Sequence, residues 1–86
     1  MYVIVCYDIE VERVAKALKI CRKYLNWVQN SVFEGQITRG NLERLKHELS
    51  KIVKDSDSIR FYIFQSEDVF ELEILGQDKC MNDLII

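Results

Sequence analysis

The sequence predicts an α+β fold with element order β-α-β-β-α-β. Three observations carry that prediction. The chain opens on a six-residue apolar run, Tyr2–Tyr7. Two later stretches carry apolar residues at helical spacing. Two further stretches are rich in β-branched and aromatic residues at strand length. At 86 residues there is room for one domain, 1–86, and one core. A chain of this size buries only about 60–65% of its unfolded surface, so it gains from self-association.

Tyr2–Tyr7 is too short for an amphipathic helix and reads as a strand. Its lack of alternation predicts burial on both faces. Asp8 follows where the strand should surface. A helix is expected over Val11–Tyr24, with Val11, Val14, Ala15, Leu18, Cys21 and Leu25 forming one stripe. Its other face carries Arg13, Lys16, Lys19, Arg22 and Lys23, and no acid occurs among residues 13–25.

Asn26–Ile37 splits into two short antiparallel strands. Gln29-Asn30-Ser31 and Glu34-Gly35 both qualify as the turn, Gly35 having the freer backbone. Ser31-Val32-Phe33-Glu34 has the form of a capping box, but Gly35 follows and no helical run begins there. The second helix spans Asn41–Val53, with Leu42, Leu45, Leu49, Ile52 and Val53 inward and Thr38 or Asn41 as its cap. Asp55-Ser56-Asp57-Ser58 is a turn. Ile59–Phe64 is a strand with Ile59, Phe61 and Ile63 on one face and Arg60, Tyr62 and Phe64 on the other. After a polar loop, Gln65–Val69, Phe70–Leu75 alternates as an edge strand would. The chain ends on Leu84-Ile85-Ile86.

This order is the ferredoxin-like plan, in which both helices cover one face of the sheet. The other face should be open and partly apolar, and on a small chain that predicts a partner. The edge strand and the apolar tail point to a second copy. The tail Leu84, Ile85, Ile86 would exchange between subunits of a homodimer as an added strand.

Twelve basic and 14 acidic side chains give a net charge of −2, which excludes an overall electrostatic grip on nucleic acid but leaves room for a local one. The basic face of the first helix is such a patch, against five acids (Glu67, Asp68, Glu71, Glu73, Asp78) and no cation over residues 65–78. It reads either as a solvated helix face or as a tracker of phosphates. Three cysteines, an odd number with no C-x-x-C spacing, read as reduced thiols in a cytoplasmic protein. No secretory signal or membrane span is expected. His47 is the single histidine, falls away from the core stripe and reads as a solvated surface residue; one histidine with scattered cysteines argues against a zinc site within one chain.

Asp8 is the leading candidate site residue. As an N-cap it would accept backbone N–H bonds; as a metal ligand it would offer Mg²⁺ one carboxylate, the rest of the shell being water and phosphate. Two copies meeting face to face could share one ion between two Asp8 side chains. Ser31 has no histidine beside it, which argues against an activated nucleophile.

Three stretches, Val3-Ile4-Val5-Cys6-Tyr7-Asp8-Ile9, Val28-Gln29-Asn30-Ser31-Val32-Phe33-Glu34-Gly35 and Asp57-Ser58-Ile59-Arg60-Phe61-Tyr62, resemble the CRISPR-associated protein two family over the whole chain. The resemblance implies a ferredoxin-like homodimer with Asp8 as Mg²⁺ ligand at the dimer interface. Ser31 and Phe33 are implied near it, as hydrogen-bond donor and packing support. It implies a component of spacer acquisition that bridges dimers of the CRISPR integrase subunit and holds captured DNA. It also implies metal-dependent phosphodiesterase activity on RNA or duplex DNA. A non-catalytic scaffold and a toxin-like RNA interferase are the alternatives on the same fold. Asn26-Trp27 stands where many members carry basic residues.

Overall fold

A computed structural model describes residues 1–66 and residue 73. Its elements are β1 (Tyr2–Asp8), α1 (Val11–Arg22), β2 (Asn26–Gln29), β3 (Val32–Gln36), α2 (Arg39–Ser50) and β4 (Ser58–Phe64). The strands form one antiparallel sheet in the order β2-β3-β1-β4. The expected β-α-β-β-α-β plan is therefore the observed one. Phe70–Leu75 and the tail Leu84–Ile86 lie outside the described residues.

β1 sits between two partners. Val5 faces Phe33 of β3 and Phe61 of β4. Val3, Val5 and Tyr7 are buried against the helices, with Ala17 and Cys21 of α1 and Leu42, Leu45 and Leu49 of α2. Tyr2, Ile4 and Cys6 are only half-buried. The expectation that β1 is buried on both faces is thus corrected. Both faces are apolar in composition, but within the described residues only one is covered by helices. Alternation in burial is present without alternation in residue type.

The stripe of α1 is also corrected. Ala17 and Cys21 are fully buried, whereas Ala15 is exposed and Val11 is 81% exposed. At about 100° per residue, Ala17 lies roughly 40° from Cys21 and Ala15 roughly 120°. Anchoring the pattern on Val11, in the first turn, rotated it away from the true stripe.

The β2–β3 turn is Asn30-Ser31, where Asn30 takes φ 44°, the left-handed region that Asn tolerates. Gly35 is instead a buried position inside β3, with the Leu25 side chain lying where a Cβ would point, 3.5 Å away. α2 begins two residues earlier than expected because Thr38 is its cap: Thr38 Oγ1 accepts from the Asn41 N–H at 3.1 Å. It ends at Ser50, and Ile52 and Val53 pack half-buried against the core from the turn beyond. His47 is exposed, as expected.

Candidate nucleic-acid and metal site

Asp8 ends β1 and is paired with Ser58, the first residue of β4. Its carboxylate is exposed and makes no hydrogen bond or ion pair with the described residues. It does not cap α1. The cap is Glu10, whose own side chain makes no capping bond. The chain stays extended for two residues past Asp8, so that Ile9 can enter the core before the helix begins.

Strand register puts Asp8 on the open face of the sheet with Cys6, Ser58 and Arg60, because residues i and i+2 share a face. Arg60 pairs with Cys6 and donates from Nη1 to the Tyr62 hydroxyl at 3.3 Å. Burial pushes the Cys6 thiol up, with Arg60 opposing and Asp8 adding to the rise. Burial pushes the Tyr7 phenol up to about 12. Cys6 and Tyr7 therefore hold their protons at neutral pH.

Ser31 reaches this end through its backbone: its carbonyl accepts from the Tyr7 N–H at 3.1 Å. Phe33 does not. It is fully buried on the helix-covered face, its ring 6.3 Å from that of Tyr7 at 22°. It supports β1 from below and does not share the face of Asp8.

The four cations of α1 and Lys23, its C-cap, separate into different environments. Arg13 is drawn in, its side chain 13% exposed, and is committed to Asp57. Its Nε donates to Asp57 Oδ2 and its Nη2 to Oδ1, both at 2.9 Å. Lys23 pairs with Glu48 of α2, which also accepts from the Tyr24 hydroxyl. Arg22 lies over the half-exposed Trp27 ring, 6.0 Å from its centroid. Lys16 and Lys19 make no ion pair among the described residues and point away from the core. The outward basic face is therefore Lys16, Lys19, Arg22 and Lys23, flanked by an aromatic ring.

The residues fit Mg²⁺ in one respect and fall short in another. An exposed, unpaired carboxylate is the donor this hard cation takes. Among the described residues, however, no three metal-ligating side chains come together. The described residues of one chain bring one ligand, Asp8, to this place, and a site shared between two Asp8 side chains needs a second copy. A groove of about 350 Å³ between the end of α2 and β4 is lined by Leu49, Val53, Ile59 and Phe61 and does not include Asp8.

Sequence reasoning missed two features here. Arg60 is a cation on the face of Asp8, and its i+2 spacing from Ser58 carried that signal. The Arg13–Asp57 pair is the other, and the sequence held no signal for it beyond an acid in a turn.

Fold and site together define a class: a small ferredoxin-like domain that presents one acid at the surfacing end of its first strand. Residues 1–72 match the family described as CRISPR associated protein Cas2. A relative from Thermotoga maritima, named CRISPR-associated endoribonuclease Cas2, is 55% identical over 80 residues, covering 92% of each chain. A relative of the same name from Dictyoglomus turgidum is 44% identical with all of both chains covered. A solved structure described as a crystal structure of cas2 superposes with a TM-score of 0.83 at 48% identity, covering 92% of this chain and 90% of that one. Cas2 of Streptococcus pyogenes, crystallised at pH 6.5, gives a TM-score of 0.74 at 37% identity, covering 88% of this chain and all of that one. The chain belongs to the Cas2 family.

No helix among the described residues is long and apolar enough to cross a membrane.

Proposed function

We propose that this chain acts in CRISPR spacer acquisition as a homodimer that bridges integrase subunits and holds the captured DNA. Metal-dependent cleavage of RNA or DNA phosphodiesters is a second and slower activity. The observation that carries this reading is Asp8, an exposed carboxylate without a partner among the described residues, in a chain of the Cas2 family. Support for self-pairing comes from Ile4 and Tyr62, half-buried apolar residues paired on the open face of the sheet. Support for nucleic-acid contact comes from Lys16, Lys19, Arg22 and Lys23, which would track phosphates without sequence preference.

Asp8 from each subunit would hold Mg²⁺, and the bound ion would supply charge neutralisation at phosphate and an activated water. Tyr7 and Cys6 retain their protons and offer no base. Arg60, on the same face, is available to a phosphate oxygen. With no candidate base beside Asp8 on its face among the described residues, catalysis is modest and the scaffold role is the principal one.

The test is Asp8→Asn, assayed three ways. Cleavage in Mg²⁺ should be lost, the dimer should persist in sedimentation, and spacer acquisition with the integrase partner should continue. Cleavage at full rate removes Asp8 from the chemistry. Loss of acquisition by a folded, dimeric variant overturns a scaffold role independent of Asp8.

A further inference from the structure

Asp57 has a fully buried side chain and accepts four hydrogen bonds, all from separate donors. Two come from the Arg13 fork. The others come from the backbone N–H of Glu10, to Oδ1 at 3.0 Å, and of Lys54, to Oδ2 at 2.9 Å. Each carboxylate oxygen thus takes one guanidinium and one backbone donor. The Glu10 amide belongs to the loop that leaves β1, two residues past Asp8. The residue after Asp57 is Ser58, the register partner of Asp8.

We infer that Asp57 is a positioning residue for Asp8, with Arg13 holding Asp57 in its working orientation. The dipeptide Asp57-Ser58 braces Asp8 from two sides: Ser58 through the sheet, Asp57 through the Glu10 amide. Ile9 is buried between these points, which closes the remaining freedom of the segment. An exposed ligand at the end of a strand would otherwise sample many directions. The brace fixes the backbone that carries it, as supporting partners do around metal ligands. The assignment of a metal role to Asp8 is taken from the proposed function; the brace itself is independent of it.

The pairing is specific in chemistry. An aspartate presents acceptors on both oxygens. In Asp57→Asn one side of the head group becomes a donor, facing either Lys54 N–H and Arg13 Nε or the Glu10 side of the fork. Arg13→Lys keeps the charge but loses the two-pronged geometry.

The experiment uses the full chain in its native assembly, without metal and then with Mn²⁺ alone as the probe. In metal-free Asp57→Asn, amide exchange at Ile9 and Glu10 should quicken about tenfold or more, while the Val3–Val5 amides keep wild-type protection. Mn²⁺ affinity, read from paramagnetic broadening near Asp8, should weaken by about tenfold. Arg13→Lys should show the same pattern at smaller size. Asp57→Glu, which keeps both acceptors, should restore part of each. Uniform acceleration across the sheet would mean a general stabilising pair and would overturn the inference. So would unchanged exchange at Glu10. Wild type and Asp8→Asn binding Mn²⁺ equally would remove the metal role of Asp8; the brace then stands or falls on the local exchange pattern.

Discussion

The two faces of the sheet are built from the same strands and have opposite fates. On the helix-covered face, Val3, Val5 and Phe33 are completely buried and Tyr7 nearly so. On the other, Tyr2, Ile4, Cys6, Tyr62 and Phe64 are half-buried, and Asp8 and Arg60 are exposed. The hydrophobic work of folding is done on the first face. The second carries half-buried apolar residues, Ile4 and Tyr62 among them, plus the charges that could act on a ligand. On the proposed function, stability and ligand chemistry are divided between alternate residues of one strand, β1. That division predicts which substitutions unfold the protein and which disable a folded one.

The largest effect should come from the covered face. Phe33→Ala removes a fully buried ring beneath Tyr7 and should cost about 3–5 kcal/mol of unfolding free energy in urea titration. A cost under about 1 kcal/mol would mean that this face is not where stability resides. On the open face, Ile4→Glu should leave the far-ultraviolet spectrum of the protomer intact while weakening self-association by about tenfold or more in sedimentation. Unfolding by Ile4→Glu would break the division of labour between the faces.

This division also explains what could be learned from residues alone. Both helices, all four described strands and their order were legible, because spacing and strand-forming composition report local structure directly. The burial of β1 was not. Tyr2, Ile4 and Cys6 are as apolar as Val3 and Val5, so composition cannot say which set a helix covers. Asp8 was legible as an acid where a strand surfaces, and the structure puts it there. Asp57 was not: its partners Arg13 and Glu10 lie more than 40 positions away, and only the pairing of β1 with β4 brings them together. For the same reason Arg13 counted as one more outward cation until the fold showed what it binds.

A third prediction concerns acid. The Arg13 fork, then the Glu10 amide and, more weakly, the Lys54 amide hold the Asp57 carboxyl well below its ordinary value of 3.8, against the opposing effect of burial. A folded-state value below the unfolded one means the contribution is complete above about pH 4 and is withdrawn as pH falls toward the folded value. Wild type should therefore lose denaturation midpoint steadily below about pH 4, and Asp57→Asn should show a flatter acid limb. An equally steep limb in the variant would assign the acid sensitivity to other carboxylates.

The smallest effect should come from the opposite end of α1, where Lys23, Tyr24 and Glu48 tie that helix to α2. The chemistry resembles the Arg13–Asp57 pair, but the setting does not. The Lys23 side chain is 56% exposed and that of Glu48 is 29% exposed, and water competes for both. Exposed pairs of this kind contribute little. Glu48→Gln, which can still accept from Tyr24, should leave the melting temperature unchanged within error. It should instead act on binding. Lys23 belongs to the outward basic face, and Glu48 neutralises part of it. Freeing Lys23 adds at most one phosphate contact, so nucleic-acid binding should tighten slightly at low salt and its logarithmic salt slope should steepen by about one or less. A melting-temperature loss matching that of Asp57→Asn would show that exposure does not rank these two pairs. An unchanged salt slope would take Lys23 out of the phosphate-contacting set and leave Lys16, Lys19 and Arg22 to carry it.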